Sequence, residues 1–207
     1  MQNNETCRFF LGFLNVLNGL LPIIFWIFLI YGFDDAAEAG LTVISAIIHE
    51  CGHELFWLIK YDNFRAAKGH FFGFKIRKDS LMSYDDEAWL YASGALANLL
   101  VCIISVCFIG VFGEYAQAFA IINAITALTN VLPVRSYDGY GIIRAIATKH
   151  ELNKVISITD AFSLAFSAFM CIFSLYVMHR LNGGYWIFAI FVFSLVSELA
   201  LRLKSTN

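Results

Sequence analysis

The chain has 207 residues, 59% hydrophobic and 16% aromatic, with only 14% charged and a formal net charge of −2. Soluble domains carry about 25% charged residues, so a water-soluble globule of this size is excluded, as is disorder, which needs polar sequence poor in aromatics. With 14 Lys+Arg against 16 Asp+Glu there is no basic field to hold nucleic acid, and the lipid bilayer is the solvent that 21 Phe and 4 Trp imply.

A membrane span needs about 20 mostly apolar residues, and six stretches answer to that in chain order. They run from about Phe9 to Tyr31, Gly40 to Ile59, Ala88 to Phe112, Tyr115 to Leu132, Val155 to Met178 and Tyr185 to Leu201. With six spans, every Lys and Arg except Arg180 falls on one face, which the positive-inside rule makes cytosolic together with both termini. Between the second and third spans, Phe72, Phe74 and Ile76 alternate with Gly73, Lys75 and Arg77. That period of two predicts a strand, with Lys78-Asp79-Ser80 as the turn and Leu81 to Tyr84 as the return. The expected fold is therefore an all-α polytopic membrane protein of six transmembrane helices with a small membrane-associated β-hairpin. It forms a single domain over 1–207, with a catalytic core over about 40–150. The five cysteines show no paired spacing and are expected to be small buried hydrophobes.

Ionisable groups within a span are costly and point to function. The second span carries His49-Glu50-Cys51-Gly52-His53-Glu54. Residues four apart share a helix face, so His49 and His53 face one metal ion, with Glu50 beside them as general base: the H-E-x-x-H pattern of zinc hydrolases. A catalytic zinc takes three protein ligands and an open position. Candidates for the third ligand are His70, His150, His179 and Asp138. Asp138 is favoured because Pro133 and Gly139 break the helix at the end of the fourth span, and irregular backbone at membrane depth lines a wet cavity. Glu54 reads either as a carboxylate supporting the site or as a hydrated residue near the basic boundary. Asp160 and Glu198, near the same boundary, read as hydrated interfacial residues or as partners of Lys154 and Arg202.

His49-Glu50-x-x-His53, Asn130-x-x-Pro133 with Asp138-Gly139, and Gly94-Ala95-Leu96-Ala97-Asn98 together resemble the site-2 protease family of intramembrane zinc metalloproteases. The likeness covers the second to fourth spans, and Ala95 stands where the family usually has proline. It implies one Zn2+ on His49, His53 and Asp138, Glu50 as catalytic base, Asn98 as a further polar site residue, and Asn130 and Gly139 as part of the site's surroundings. The implied reaction is peptide hydrolysis in or near the span of a single-span membrane protein or membrane-bound peptide. Cleavage is expected on the cytosolic side, in a bacterial cell membrane, with the hairpin edge holding the unwound substrate as an added strand. The chain has no room for the PDZ or nucleotide-sensing domains of larger relatives, so regulation would fall to a separate membrane protein. Three other readings stay open: another intramembrane metallopeptidase class with a glutamate as third ligand, for which Glu151 or Glu198 would have to serve; a polytopic metal transporter using Asn123, Asn130 and Asp160; and a catalytically silent, partner-binding relative.

Overall fold

The computed structural model of the chain describes residues 36–61 and 82–181, with single helical positions between 188 and 202. The elements are α1 (Ala36–Tyr61), α2 (Tyr84–Cys107), α3 (Ile109–Phe112), α4 (Glu114–Asn130), α5 (Asp138–Lys149) and α6 (Asn153–Leu181). Local signals set their ends. Glu38 lies in the first turn of α1 and Lys60 in the last, each opposite in sign to the helix-dipole end it sits near. At the start of α2, the Ser83 hydroxyl accepts from the Asp86 N–H at 3.1 Å, and Asp85, Asp86 and Glu87 occupy the first turn. Gly113 separates α3 from α4 with φ 58°, a conformation that glycine adopts without cost.

Helix α2 is the centre of the bundle, packing against α1, α4 and α5, while α5 also packs on α6. Its buried residues Leu90, Gly94, Ala95 and Asn98 recur at three to four positions, one face of a helix. The crossing with α1 is tight. A methyl group on Gly52 would lie 2.6 Å from the Ser93 carbonyl oxygen and 3.0 Å from the Gly94 Cα, so only glycine permits this approach.

The interior is small and polar, and the exterior is large and apolar. Ser45, Asn98, Asn123, Ser163, Ser167 and Ser174 are buried, whereas Leu100, Ile103, Val111, Leu128, Phe169 and Ile172 are exposed. Small residues at helix contacts and hydrogen-bonding side chains between helices are the packing that lipid-solvated helices use. Two helices are long and apolar enough to cross a membrane, Tyr84–Cys107 and Asn153–Arg180, both with mean hydropathy 2.0 over their most apolar stretch. Those stretches are only 28% and 17% buried, unlike the core helix of a soluble protein.

This corrects the six-span expectation. Among the described residues only those two helices meet the requirement. Helix α1 is long enough, but His49, Glu50, His53 and Glu54 in its middle lower its hydropathy. Helix α4 has 17 residues, about 25 Å at 1.5 Å per residue, short of a hydrocarbon core of about 30 Å. The stretch over 9–31 lies outside the described residues, as does most of that over 185–201. The β-hairpin is corrected as well. No strand occurs among the described residues, and Tyr84, expected to end the return strand, instead opens α2 behind its Ser83 cap. The rest of that hairpin, 71–81, lies outside the described residues. Cys51 and Cys107 are exposed rather than buried, and no described cysteine is in a disulfide.

Candidate metal centre

Three elements bring the site together. His49 and His53 stand one turn apart on α1, over the glycine of α2. A methyl group on Gly94 would fall 2.5 Å from His53 Nε2 and 2.7 Å from His49 Cε1, so the bare backbone there is the floor of the site. The third residue comes from the chain after α4. Val134 is buried, and the turn folds back with the Tyr137 N–H on the Val134 carbonyl at 2.8 Å. Gly139 seats against the Val131 carbonyl, where any side chain would collide. Extended backbone at Tyr137 then starts α5 with Asp138 in its first turn, where a carboxylate is favoured by the helix dipole.

The donor atoms converge. His49 Nε2 is 2.9 Å and His53 Nε2 3.2 Å from Asp138 Oδ2, and the two Nε2 atoms are 3.2 Å apart. Zinc with ligands at about 2.0–2.1 Å has tetrahedral edges of about 3.3–3.4 Å, close to the sides of this triangle. The side chains of both imidazoles are about nine-tenths buried.

The hydrogen bonds behind the rings decide what the triangle holds. His49 Nδ1 is 2.8 Å from Asn98 Oδ1. The Asn98 amide is oriented by its nitrogen, which donates to the Ser45 carbonyl at 3.0 Å and to Asn123 Oδ1 at 2.8 Å. Its oxygen therefore faces His49 and can only accept, so His49 carries its proton on Nδ1. His53 Nδ1 lies 2.7 Å from the Leu90 carbonyl and 3.3 Å from Ser93 Oγ. The Ser93 hydroxyl proton goes to that same carbonyl at 2.6 Å, so His53 Nδ1 donates too. In the neutral rings both Nε2 lone pairs then point inward at each other and at a carboxylate oxygen. Three acceptors facing one point need a cation. A single proton bridges one pair directly, whereas a divalent ion takes all three lone pairs, and backbone or amide acceptors behind metal-binding histidines fix rings in this way. The donor set, two imidazoles and one carboxylate, suits zinc.

The other residues expected at the site divide. Glu50 follows His49 and is half-buried, with no hydrogen-bond partner for its carboxylate among the described residues. Asn98 joins the centre through His49. Glu54 is half-buried on α1 and makes no hydrogen bond to the cluster. Asn130 stays with its own helix, its amide donating to the Thr126 carbonyl at 2.9 Å. Gly139 acts by packing and supplies no ligand. His150 and His179 are exposed, and His70 lies outside the described residues. Leu90, Ser93 and Ser45 are not anticipated by the sequence reading, and Asn123 enters it only as a residue of a transport path. Their contributions are a carbonyl and short polar side chains brought in from distant sequence, and Ser93 alone, next to the Gly94 stretch, offered a nearby signal.

The polar residues that a transport path would use fall in separate places, Asn123 behind the metal centre and Asp160 in a second cluster. Asn123 is bonded to Ser45 and Asn98, and Asp160 pairs with Arg135 at 2.6 Å rather than with Lys154. Burial works against the Arg135 charge, but the Asp160 hydrogen bond together with the nearby Tyr140, Glu198 and Asp160 charges outweighs it and raises that pKa above the ordinary arginine value. Glu198 does pair with Arg202, at 2.9 Å.

The chain matches no protein-family model, no curated protein and no solved structure.

Proposed function

We propose that this protein is a zinc-dependent intramembrane metalloprotease of the kind the site-2 protease family represents. The observation that carries the reading is the convergence of His49 Nε2, His53 Nε2 and Asp138 Oδ2 on one point, with the Glu50 carboxylate on the adjoining residue. His49, His53 and Asp138 hold the ion. When bound, zinc supplies Lewis acidity, lowering the pKa of water from 15.7 towards about 7 and polarising a carbonyl.

The chain's own residues supply the rest. Asn98 and the Leu90 carbonyl keep both rings in the ligating tautomer. Glu50, whose carboxylate has no hydrogen-bond partner among the described residues, accepts the proton from the attacking water and returns it to the leaving amine. A site whose interior is polar and whose outer surface is apolar suits a substrate that arrives through lipid. We place the protein in a membrane as a multi-pass protein, with the basic end of α1, at Lys60, on the cytosolic side. From His53 to Lys60 is about 10 Å along the helix at 1.5 Å per residue, so water reaches the site from that side and cleavage falls in the cytosolic part of the substrate's span.

The test compares membrane proteomes of cells carrying the wild-type protein and Glu50→Gln. One single-span protein or membrane-bound peptide accumulates uncut in the variant. If the same cells show no accumulating species while Glu50→Gln still translocates metal into vesicles, the protein is a transporter instead.

A further inference from the structure

Asp138 is bracketed by a second buried cluster that takes no part in the metal centre. Arg135, three residues before it, is held at both ends. Its backbone N–H donates to Ser163 Oγ at 2.9 Å. Its guanidinium donates to Asp160 Oδ1 at 2.6 Å and to the Tyr140 hydroxyl oxygen at 3.2 Å. Tyr140, two residues after Asp138, donates its own hydroxyl to the same Asp160 oxygen at 2.6 Å. Ser163 passes its proton to Glu198 Oε2 at 2.8 Å, and Glu198 Oε1 accepts from Arg202 Nε at 2.9 Å. Arg202 also donates to the Asp160 backbone carbonyl. The Glu198 side chain is 0% exposed.

Two cations meet two anions, so the cluster is neutral, and its members bond to one another, with Arg135 Nε left 3.7 Å from Glu198 Oε1 without a hydrogen bond. Stability alone is a weak reason to bury it, because apolar replacements of such networks are commonly neutral or stabilising. What the cluster does supply is position. In the chain from 131 to 137 the N–H groups of Val131, Leu132, Val134 and Tyr137 close local turns, Pro133 lacks an N–H, and the Arg135 N–H is the one that reaches another helix. The turns set its local shape, and the seats of Val134 and Gly139 together with Arg135 anchor it to the bundle. We infer that Arg135, Tyr140, Asp160 and Glu198 are positioning residues for the third metal ligand, so that α6 and the helical positions around Glu198 set metal affinity without touching the ion. The inference rests on the metal-centre reading above.

The experiment titrates the purified full-length protein in detergent with Co2+ and records its visible ligand-field bands. Wild type, Asp138→Ala, Asp160→Asn, Glu198→Gln and Tyr140→Phe are compared, with helicity followed by circular dichroism. Asp160→Asn and Glu198→Gln are expected to bind Co2+ about 10- to 100-fold more weakly, the range for residues that orient metal ligands, with altered bands. Tyr140→Phe removes one hydroxyl and is expected to weaken binding about 3- to 10-fold. If wild type binds no Co2+, or Asp138→Ala binds as well as wild type, the metal-centre reading itself fails. Where wild type binds and Asp138→Ala does not, helical cluster variants with wild-type affinity and bands overturn the positioning role, even if they melt earlier. Should the charge variants lose helicity, Tyr140→Phe decides: binding within twofold of wild type with unchanged bands overturns the inference, and weaker binding with shifted bands supports it.

Discussion

The bundle buries two clusters of ionisable side chains, and they differ in what they lack. Around Arg135, Asp160, Glu198 and Arg202, each carboxylate meets a guanidinium, and hydroxyls from Tyr140 and Ser163 complete the network. Around His49, His53 and Asp138, the rings have spent their Nδ1 protons on Asn98 and Leu90, and what remains is three lone pairs facing one another. The first cluster offers a donor to each carboxylate and leaves over only a donor, Arg135 Nε, 3.7 Å from Glu198 Oε1, whereas the second has the donor set to hold one metal ion. Burial of polar groups is therefore not in itself the sign of a site. The sign is an excess of acceptors over donors at one point, because an unpaired polar group in a low-dielectric interior is costly.

Removing one ligand breaks this contrast most severely. His49→Ala or Asp138→Ala is expected to lower zinc affinity by more than about 100-fold, beyond the loss typical of outer partners, and to abolish hydrolysis. Isothermal titration with zinc on the purified chain reads the first effect. Glu50→Gln separates holding the ion from using it. Hydrolysis of the accumulated substrate is expected to fall about 10²- to 10⁴-fold, the usual worth of a general base, with zinc affinity within about threefold of wild type. Gly94→Ala places a methyl against both rings. Overpacking of this order costs about 1–3 kcal/mol, so zinc affinity is expected to drop about 5- to 100-fold, while an alanine at the uncrowded Gly110 leaves affinity unchanged. Cys51→Ser is the smallest change. The thiol lies inside the metal motif but is exposed, so zinc affinity and stability are expected to move by no more than about 0.5 kcal/mol.

How far the sequence revealed these features follows from the distance over which each one acts. The pairing of His49 with His53 is legible because a helix fixes the geometry of residues four apart. Asp138 was legible because Pro133 and Gly139 mark the break that turns it back towards the histidines. The tautomers were not legible, since they depend on an amide at position 98 and a carbonyl at position 90, which only tertiary packing brings to the rings. The buried pairing of Arg135 with Asp160 was equally invisible. Asp160 had been assigned to the boundary by its place in the chain, but α6 packs against α5 and presents it to the turn instead. The six spans and the hairpin were misread for a different reason. Apolar runs and a period of two do not by themselves mark complete elements, and the Ser83 cap followed by three acids signals a helix start where the alternation predicts a strand. Apolar length also does not distinguish a 17-residue helix such as α4 from one that crosses the whole hydrocarbon core.

The most direct test of the central claim is X-ray absorption at the zinc edge on the purified, zinc-loaded chain, in wild-type and Asp138→Ala forms. The expected result is one zinc per chain with only nitrogen and oxygen neighbours at about 2.0–2.2 Å, two of them imidazoles, and loss of stoichiometric zinc in Asp138→Ala. A sulfur neighbour at about 2.3 Å, or zinc retained unchanged without Asp138, would contradict it.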